Sequence, residues 1–358
     1  MLAFLNYPDW LKPEVFGFLN LPPGHFLNVI RWYGLMYIVA ISIAYFLSMY
    51  LLKTEKFETL NRKVVDDYYF WAVIGLIFGA RIFSCIIYDF PYYSVHPLEI
   101  LFPFREGHFV GFQGMSFHGG AFGIFLASLI YIKVKKVNFR ELCDVIFPSI
   151  PLGYTFGRLG NFINGELYGR ITSSPIGMFF PDAQKLPIKF PEVSKVINDI
   201  GWKINELNQT VVDGAGNIIN NVLGKMTISG EEVTTINLPR HPSQLYEAFF
   251  EGIVLFFIVW FLGRKYKPFK GFTASVYLVG YALARIFVEF FRQPDSQFAN
   301  IEQGKLTGFI VSFFSMGQIL SFLMILFAIG LGFYFYKLSL DDKLKPKIET
   351  KTKNKKNK

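Results

Sequence analysis

"VIRWYGLMYIVAISIAYFLSMYLL", residues 29–52, has one charge, Arg31, and no polar face. As a helix rising 1.5 Å per residue it would reach across a hydrocarbon core of about 30 Å. A surface helix of a soluble domain would alternate apolar and polar stripes, so this stretch decides for a membrane. The composition agrees. Of 358 residues, 52% are hydrophobic, with 42 Phe and 19 Tyr, and only 18% are charged, where soluble chains carry about a quarter. Similar runs at 68–90, 113–134, 142–157, 243–263, 271–291 and 307–336 predict an all-α integral membrane protein of about seven transmembrane helices. The fourth run is the shortest and contains Pro148 and Pro151.

Lysine and arginine near the ends of spans favour the cytoplasmic side. Lys53, Lys56, Arg62 and Lys63 follow the first span, Lys133, Lys135, Lys136 and Arg140 the third, and Arg264, Lys265, Lys267 and Lys270 the fifth. The N-terminus is therefore expected outside and the C-terminus in the cytoplasm. Residues 1–28 read as an aromatic-rich interfacial segment with no signal peptide pattern, 29–157 as spans one to four, and 243–337 as spans five to seven. Between them, 158–242 should lie outside the membrane. There "VVDGAGNIINN" and "KMTISGEEVTTINL" combine turn residues with β-branched runs and predict a small β-containing head.

The formal net charge of +9 does not point to nucleic acid. Nine lysines fall between Lys337 and Lys358, so 338–358 read as a disordered, lysine-rich cytoplasmic tail beside anionic lipid headgroups. Cys85 and Cys143 lie on different predicted spans and read as packing thiols, so neither a disulfide nor a thiolate metal site is expected.

Charges inside apolar spans are costly, and here they converge. Arg81 lies in span two and His118 near the start of span three. "GRLGNFINGELYGR" (157–170) brings Arg158, Asn161, Asn164 and Glu166 to the end of span four. Tyr281, Arg285 and Glu289 stand four residues apart on one face of span six. "RWYG" adds Arg31, Trp32 and Tyr33, and "RHPSQLYEA" adds Arg240, His241, Gln244 and Glu247. With the orientation above, all lie in the outer half of the membrane.

Each has a plainer reading. Arg285 and Glu289 could simply neutralise each other, His118 could be a packed core histidine, Arg158 could snorkel to the interface, Arg81 could be structural, and Arg170 could lie beyond the site. Together, several arginines with a few carboxylates at headgroup depth fit an anionic, phosphate-bearing lipid. A transporter or flippase is the main competing class. It is disfavoured by the lack of an internal repeat and by a polar cluster confined to one leaflet. A scaffold without chemistry would not require this convergence.

"GRLGNFINGELYG" closely resembles the signature of the prolipoprotein diacylglyceryl transferases. "IRWYGLMY", "SFHGG", "RHPSQLYEA" and "YALARIFVEFFRQPD" resemble further blocks of that family, in the same order, over about residues 28–337. The resemblance implies transfer of an sn-1,2-diacylglyceryl group from phosphatidylglycerol to the lipobox cysteine of a prolipoprotein signal peptide, with glycerol phosphate released. It implies no metal and no cofactor, and a place in the bacterial cytoplasmic (inner) membrane with the site toward the outer leaflet. Partners are the lipid, the prolipoprotein and surrounding membrane lipids, around a chain expected to be monomeric. The residue chemistry is consistent, because expelling a phosphate ester calls for cations at the leaving oxygens. Arg158 and Arg285 are the expected clamp. The thiol's proton acceptor is left open between His118, Glu166 and Glu289. Asn161 and Asn164 would hydrogen-bond the phosphate or glycerol, and Tyr33 and Tyr281 would position the headgroup or relay protons.

Overall fold

A computed structural model of the chain describes residues 4–20, 22, 25–101, 104–105, 108–109, 115–205, 210–228, 230–294, 309–311 and 314–356. It is mostly helical. The principal helices are α1 (Trp32–Thr54), α2 (Arg62–Ile87), α3 (Phe90–Val95), α4 (Phe117–Lys135), α5 (Phe139–Ile146), α6 (Ile150–Ile163), α7 (Pro191–Asp199), α8 (Ser243–Gly263), α9 (Phe272–Val288) and α10 (Met316–Lys356). Among the described residues, α1, α2, α8 and Met316–Lys343 of α10 are long and apolar enough to cross a membrane, and α9 is a shorter apolar helix. Their outer faces carry exposed bulk, such as Ile38 at 63%, Phe46 at 67% and Phe333 at 69%. In water such a surface would be a liability; against acyl chains it needs no cover.

The chain forms two compact units, Met1–Ala44 with Phe147–Lys358, and Tyr45–Ile146. In the second unit, α2 begins before its apolar stretch, because Asn61 Oδ1 accepts from Val64 N at 3.1 Å and starts the helix in a charged turn. Packing between α2 and α4 depends on small residues. A Cβ on Gly123 would stand 2.0 Å from the carbonyl oxygen of Gly75, and one on Gly79 2.5 Å from that of Gly119. Two glycine pairs at four-residue spacing thus let the backbones touch, as in many membrane helix contacts. Beyond α4, the buried Glu141 carboxylate accepts from Thr59 N and Thr59 Oγ1, both at 2.9 Å, and ties down the loop between α1 and α2.

The fourth predicted span, 142–157, is corrected. It is not one helix: α5 stops at Ile146 and α6 starts at Ile150. Pro148 falls in the break and Pro151 in the first turn of α6, where its missing N–H costs nothing. The seventh interval, 307–336, also differs at its start. Phe309–Val311 pairs antiparallel with Phe314–Ser315, and helix begins only at Met316. That helix runs on to Lys356 through the stretch that reads as a disordered tail.

Between α6 and α8 the described chain forms short β pairings around α7. Glu231–Ile236 pairs antiparallel with Leu223–Ile228 on one side and Leu186–Pro187 on the other, while Lys203–Asn205, Thr210–Val212 and Ile218–Ile219 form a meander. Phe190 and Val193 at the start of α7, with Trp202, Val211, Ile236 and Leu238, bury a common apolar core. Leu5–Asn6 adds a parallel pairing to Met178–Phe179.

The glycine contact yields a test. Gly123→Leu should remove most folded protein from detergent extracts, because overpacking backbone against backbone costs more than the usual 1–3 kcal/mol or so. Gly330→Ala, where nothing lies within 4 Å, should leave the yield and thermal midpoint unchanged.

Candidate active site

The signature stretch folds as a helix end. Gly165 N donates to Phe162 O at 2.9 Å and Glu166 N to Asn161 O at 3.1 Å, with Gly165 at φ +65°. This is a Schellman motif, and the left-handed position is why glycine follows Asn164. Tyr7, from the N-terminal segment, donates its hydroxyl to Ile163 O at 2.7 Å and Phe162 O at 3.0 Å. Burial, with Asp182 nearby, pushes the Tyr7 phenol up to about 12, so it stays a donor.

Past the turn, the signature is stitched to the ends of two other helices. Gly169 N donates to His241 O at 2.8 Å, His241 N to Arg170 O at 3.0 Å, and Arg170 N to Phe291 O at 2.9 Å. Gln244 Nε2 donates to Glu166 O at 2.6 Å and Ser243 Oγ to Leu167 O at 3.1 Å. Leu167 is held at φ +56°, uncommon for a side chain of its size, and these bonds on either side sustain it. Arg240 is 1% exposed, donates to Gln293 Oε1 and, at 2.7 Å, to Gln184 O, and lies over the Tyr168 ring. Burial lowers it to about 10, still cationic at neutral pH, and its partners make it a structural cross-tie. Burial likewise lowers the His241 imidazole, favouring its neutral form.

Inside this frame is an ion cluster centred on Glu247, whose side chain is fully buried. Glu247 meets Arg158 Nε at 2.8 Å, Arg285 Nη1 at 3.4 Å and Arg292 Nε at 3.4 Å. Arg285 also reaches Glu289 at 3.1 Å and Glu251 at 3.7 Å. Ser315 Oγ donates to Glu289 Oε1 at 3.0 Å. From Arg158 a polar string runs outward: Nη1 donates to Asn161 Oδ1 at 3.3 Å, Asn161 Nδ2 to Glu166 Oε1 at 2.8 Å, and Asn164 Nδ2 to the same oxygen at 3.3 Å. Tyr154 accepts from Arg158 Nε at 2.7 Å, donates to Glu251, and meets the Tyr281 ring edge-on at 5.9 Å. Tyr33 lies against the backbone at Gly160 and shares a 3.0 Å hydrogen bond with Tyr37.

Of the expected site residues, Arg158, Asn161, Asn164, Glu166, Tyr33, Tyr281, Arg285 and Glu289 thus all fall in the first unit. His118 belongs to the second, in the first turn of α4, with an exposed side chain; Ser116 Oγ caps that turn by accepting from Gly119 N. Arg81 has a structural task there, donating to Glu99 O at 2.8 Å and Ile100 O at 3.1 Å. Sequence reading passed over Glu251, Tyr154 and Arg292. For Glu251 the signal was present: it lies inside the apolar run "AFFEGIVLFF", four residues after Glu247 and therefore on the same side of the helix. It also sits in a π-helical segment, Ala248–Val254, a widening frequent at functional sites.

The sequence that builds this geometry matches known proteins. A family model described as prolipoprotein diacylglyceryl transferase matches residues 25–334. The chain belongs to this family. The phosphatidylglycerol–prolipoprotein diacylglyceryl transferase of Treponema denticola is 42% identical over 94% of this chain and 96% of its own length. The enzymes of the same name from Chlorobaculum tepidum and Treponema pallidum are 39% and 38% identical, over 91% and 90% of this chain and 90% and 93% of theirs. All the cluster residues fall inside the family match.

For this transferase-family chain, Glu247→Ala should cost about 3–5 kcal/mol of stability, since it strands buried arginines without their counter-charge. Chemical denaturation in mild detergent would measure it. The exposed Lys225–Glu232 pair, with side chains 51% and 62% accessible, gives the contrast: Glu232→Ala should shift stability by less than about 1 kcal/mol.

Proposed function

We propose that this chain transfers the diacylglyceryl group of phosphatidylglycerol to the cysteine thiol of a prolipoprotein lipobox, opening lipoprotein maturation. The observation that carries this reading is the pair Arg158 and Arg285, from different helices, held together by the shared carboxylate of Glu247. The thiolate sulfur attacks the glycerol carbon that bears the phosphate ester. The C–S bond forms as the C–O bond breaks, and glycerol phosphate leaves with the electron pair. Arg158 and Arg285 stabilise the charge growing on the leaving phosphate, preorganised so that no solvent need reorient. Asn161 and Asn164, at the helix end, bind the phosphate or glycerol oxygens, and Tyr33 and Tyr281 bound the headgroup space.

His118 is the preferred proton acceptor. Glu289 is engaged by Arg285 and Ser315, and Glu166 by Asn161 and Asn164, so these two carboxylates serve to hold the clamp. The same proposal places seven crossings in the cytoplasmic membrane of a bacterium, with the β-containing segment 158–242 outside, the site toward the outer leaflet and the chain acting as a monomer. The four basic clusters after the odd-numbered spans support that orientation.

Purified protein supplied with phosphatidylglycerol and a lipobox peptide should yield a peptide whose cysteine carries a diacylglyceryl group, read by mass spectrometry; absence of the adduct from folded enzyme would reject the reaction. Arg158→Ala and Arg285→Ala should abolish it, and near-normal transfer by either variant would sink the clamp. His118→Gln should be slow at neutral pH and recover as pH rises toward the thiol's own range, about 8.5. The sign follows from thiolate supply: without a base, only solution ionisation provides the nucleophile. An unchanged rate at neutral pH would exclude a proton-transfer role for His118.

A further inference from the structure

Arg158 is the more intricately held of the two clamp arginines, and the group holding it is a tyrosine with no part in the scheme above. Tyr154 lies one helical turn before Arg158 on α6, so the two share a face. Its hydroxyl accepts from Arg158 Nε at 2.7 Å and donates to a Glu251 carboxylate oxygen. Its ring lies 4.7 Å from the guanidinium carbon, a cation–π contact in a buried setting. Tyr281 packs edge-on against that ring. The helix crossing that brings Tyr154 and Glu251 together is fixed at the next residue of each helix: a Cβ on Gly252 would stand 2.1 Å from Thr155 Oγ1. Thr155 Oγ1 in turn donates to Ala248 O at 3.4 Å. Neither helix can rotate or slide without breaking this contact.

A guanidinium held by Nε and by one face has its plane defined, which sets the direction of the terminal nitrogens, Nη2 and an Nη1 that also donates to Asn161 Oδ1, for receiving a phosphate. Glu247 also meets Nε, at 2.8 Å, and supplies charge; Tyr154 supplies the direction. We propose that Tyr154 is a positioning residue for the transfer, its hydroxyl and ring fixing the plane of Arg158 so that the terminal nitrogens face the lipid phosphate. The hydroxyl also links the two arginines through Glu251, which reaches Arg285 at 3.7 Å. This proposal rests on the reading of Arg158 as part of the phosphate clamp.

The test is steady-state kinetics of Tyr154→Phe in phosphatidylglycerol nanodiscs with a lipobox peptide. The variant keeps the ring and loses only the hydroxyl. The kcat should fall roughly ten- to hundredfold, the range for one hydrogen bond to a charged partner, while KM for the peptide stays within about twofold. Tyr131→Phe is the control, since it also removes one buried tyrosine hydroxyl, from a bond to Val64 O at 2.7 Å, and should keep kcat within about twofold of the parent. A Tyr154→Phe enzyme with near-parental kcat, beside an inactive Arg158→Ala, overturns the proposal and leaves the clamp standing. Equal losses in both tyrosine variants overturn it too, since the effect would then be general to lost buried hydroxyls. Transfer retained by Arg158→Ala removes the clamp reading and this proposal with it.

Discussion

Burying an arginine away from water is tolerable only where a carboxylate meets it, and in this protein one carboxylate meets three. Glu247 lies within ion-pair distance of Arg158, Arg285 and Arg292. Those residues come from α6, α9 and the segment just after α9, while Glu247 itself is on α8. The arrangement therefore dictates that three helix ends lie side by side, and the rest of the first unit secures that. The signature segment hydrogen-bonds to both neighbours, Tyr7 closes the end of α6, and Arg240 ties the strand-like segments together. Buried ion networks rarely stabilise a fold beyond what well-packed apolar residues would give. What this one holds is a defined arrangement of three arginines, and the proposed clamp needs geometry more than stability.

Much of the fold was legible because membrane helices are written in length and apolarity. The first, second, fifth and seventh apolar runs correspond to the four helices long and apolar enough to cross a membrane, with shifted ends. Where the reading failed, a competing rule prevailed. At 142–157 the apolar run outweighed Pro148 and Pro151, although two prolines three residues apart are a stronger statement about helix continuity than hydropathy is about location. At Arg62 the helix begins six residues before its apolar stretch, because the Asn61 cap and not hydrophobicity sets the start. Pairing at 309–315 is a two-strand contact too short to leave a periodic signal.

The site was legible by type and incompletely by membership. Arg158, Arg285 and Glu289 stand out as charges in apolar company, and the Schellman turn is visible in "NGE" once the helix end is assumed. Glu251 bears the same mark but was lost inside a run of phenylalanines, where a single carboxylate barely moves an average. Tyr154 could not be found this way. A tyrosine in an aromatic-rich membrane protein is ordinarily belt or packing, and only coordinates reveal that its hydroxyl lies between a guanidinium and a carboxylate. His118 illustrates the converse, since its candidacy comes from the family block "SFHGG" and from chemistry; its own unit shows it as an exposed residue in the first turn of a helix.

The charge balance of the cluster bears on how a phosphate is received. Among the described residues, Arg158, Arg285 and Arg292 face Glu247, Glu251 and Glu289, a formal sum of zero when all are ionised. On the proposed reaction, an incoming phosphodiester adds one negative charge, and bond cleavage adds a second on the leaving oxygen. Arginine does not give up its proton, so the guanidinium charges are constant throughout. The adjustable members are the carboxylates, which can swing from an arginine's fork or take up a proton. They are not equally free to do so. Glu251 is fixed by the Tyr154 hydroxyl and Glu289 by Ser315, whereas the contacts of Glu247 among the described residues are all to arginines, at 2.8–3.4 Å, and none is to a neutral hydroxyl. On that proposal, a phosphate received by Arg158 and Arg285 would compete with Glu247, the carboxylate that both arginines meet in this structure.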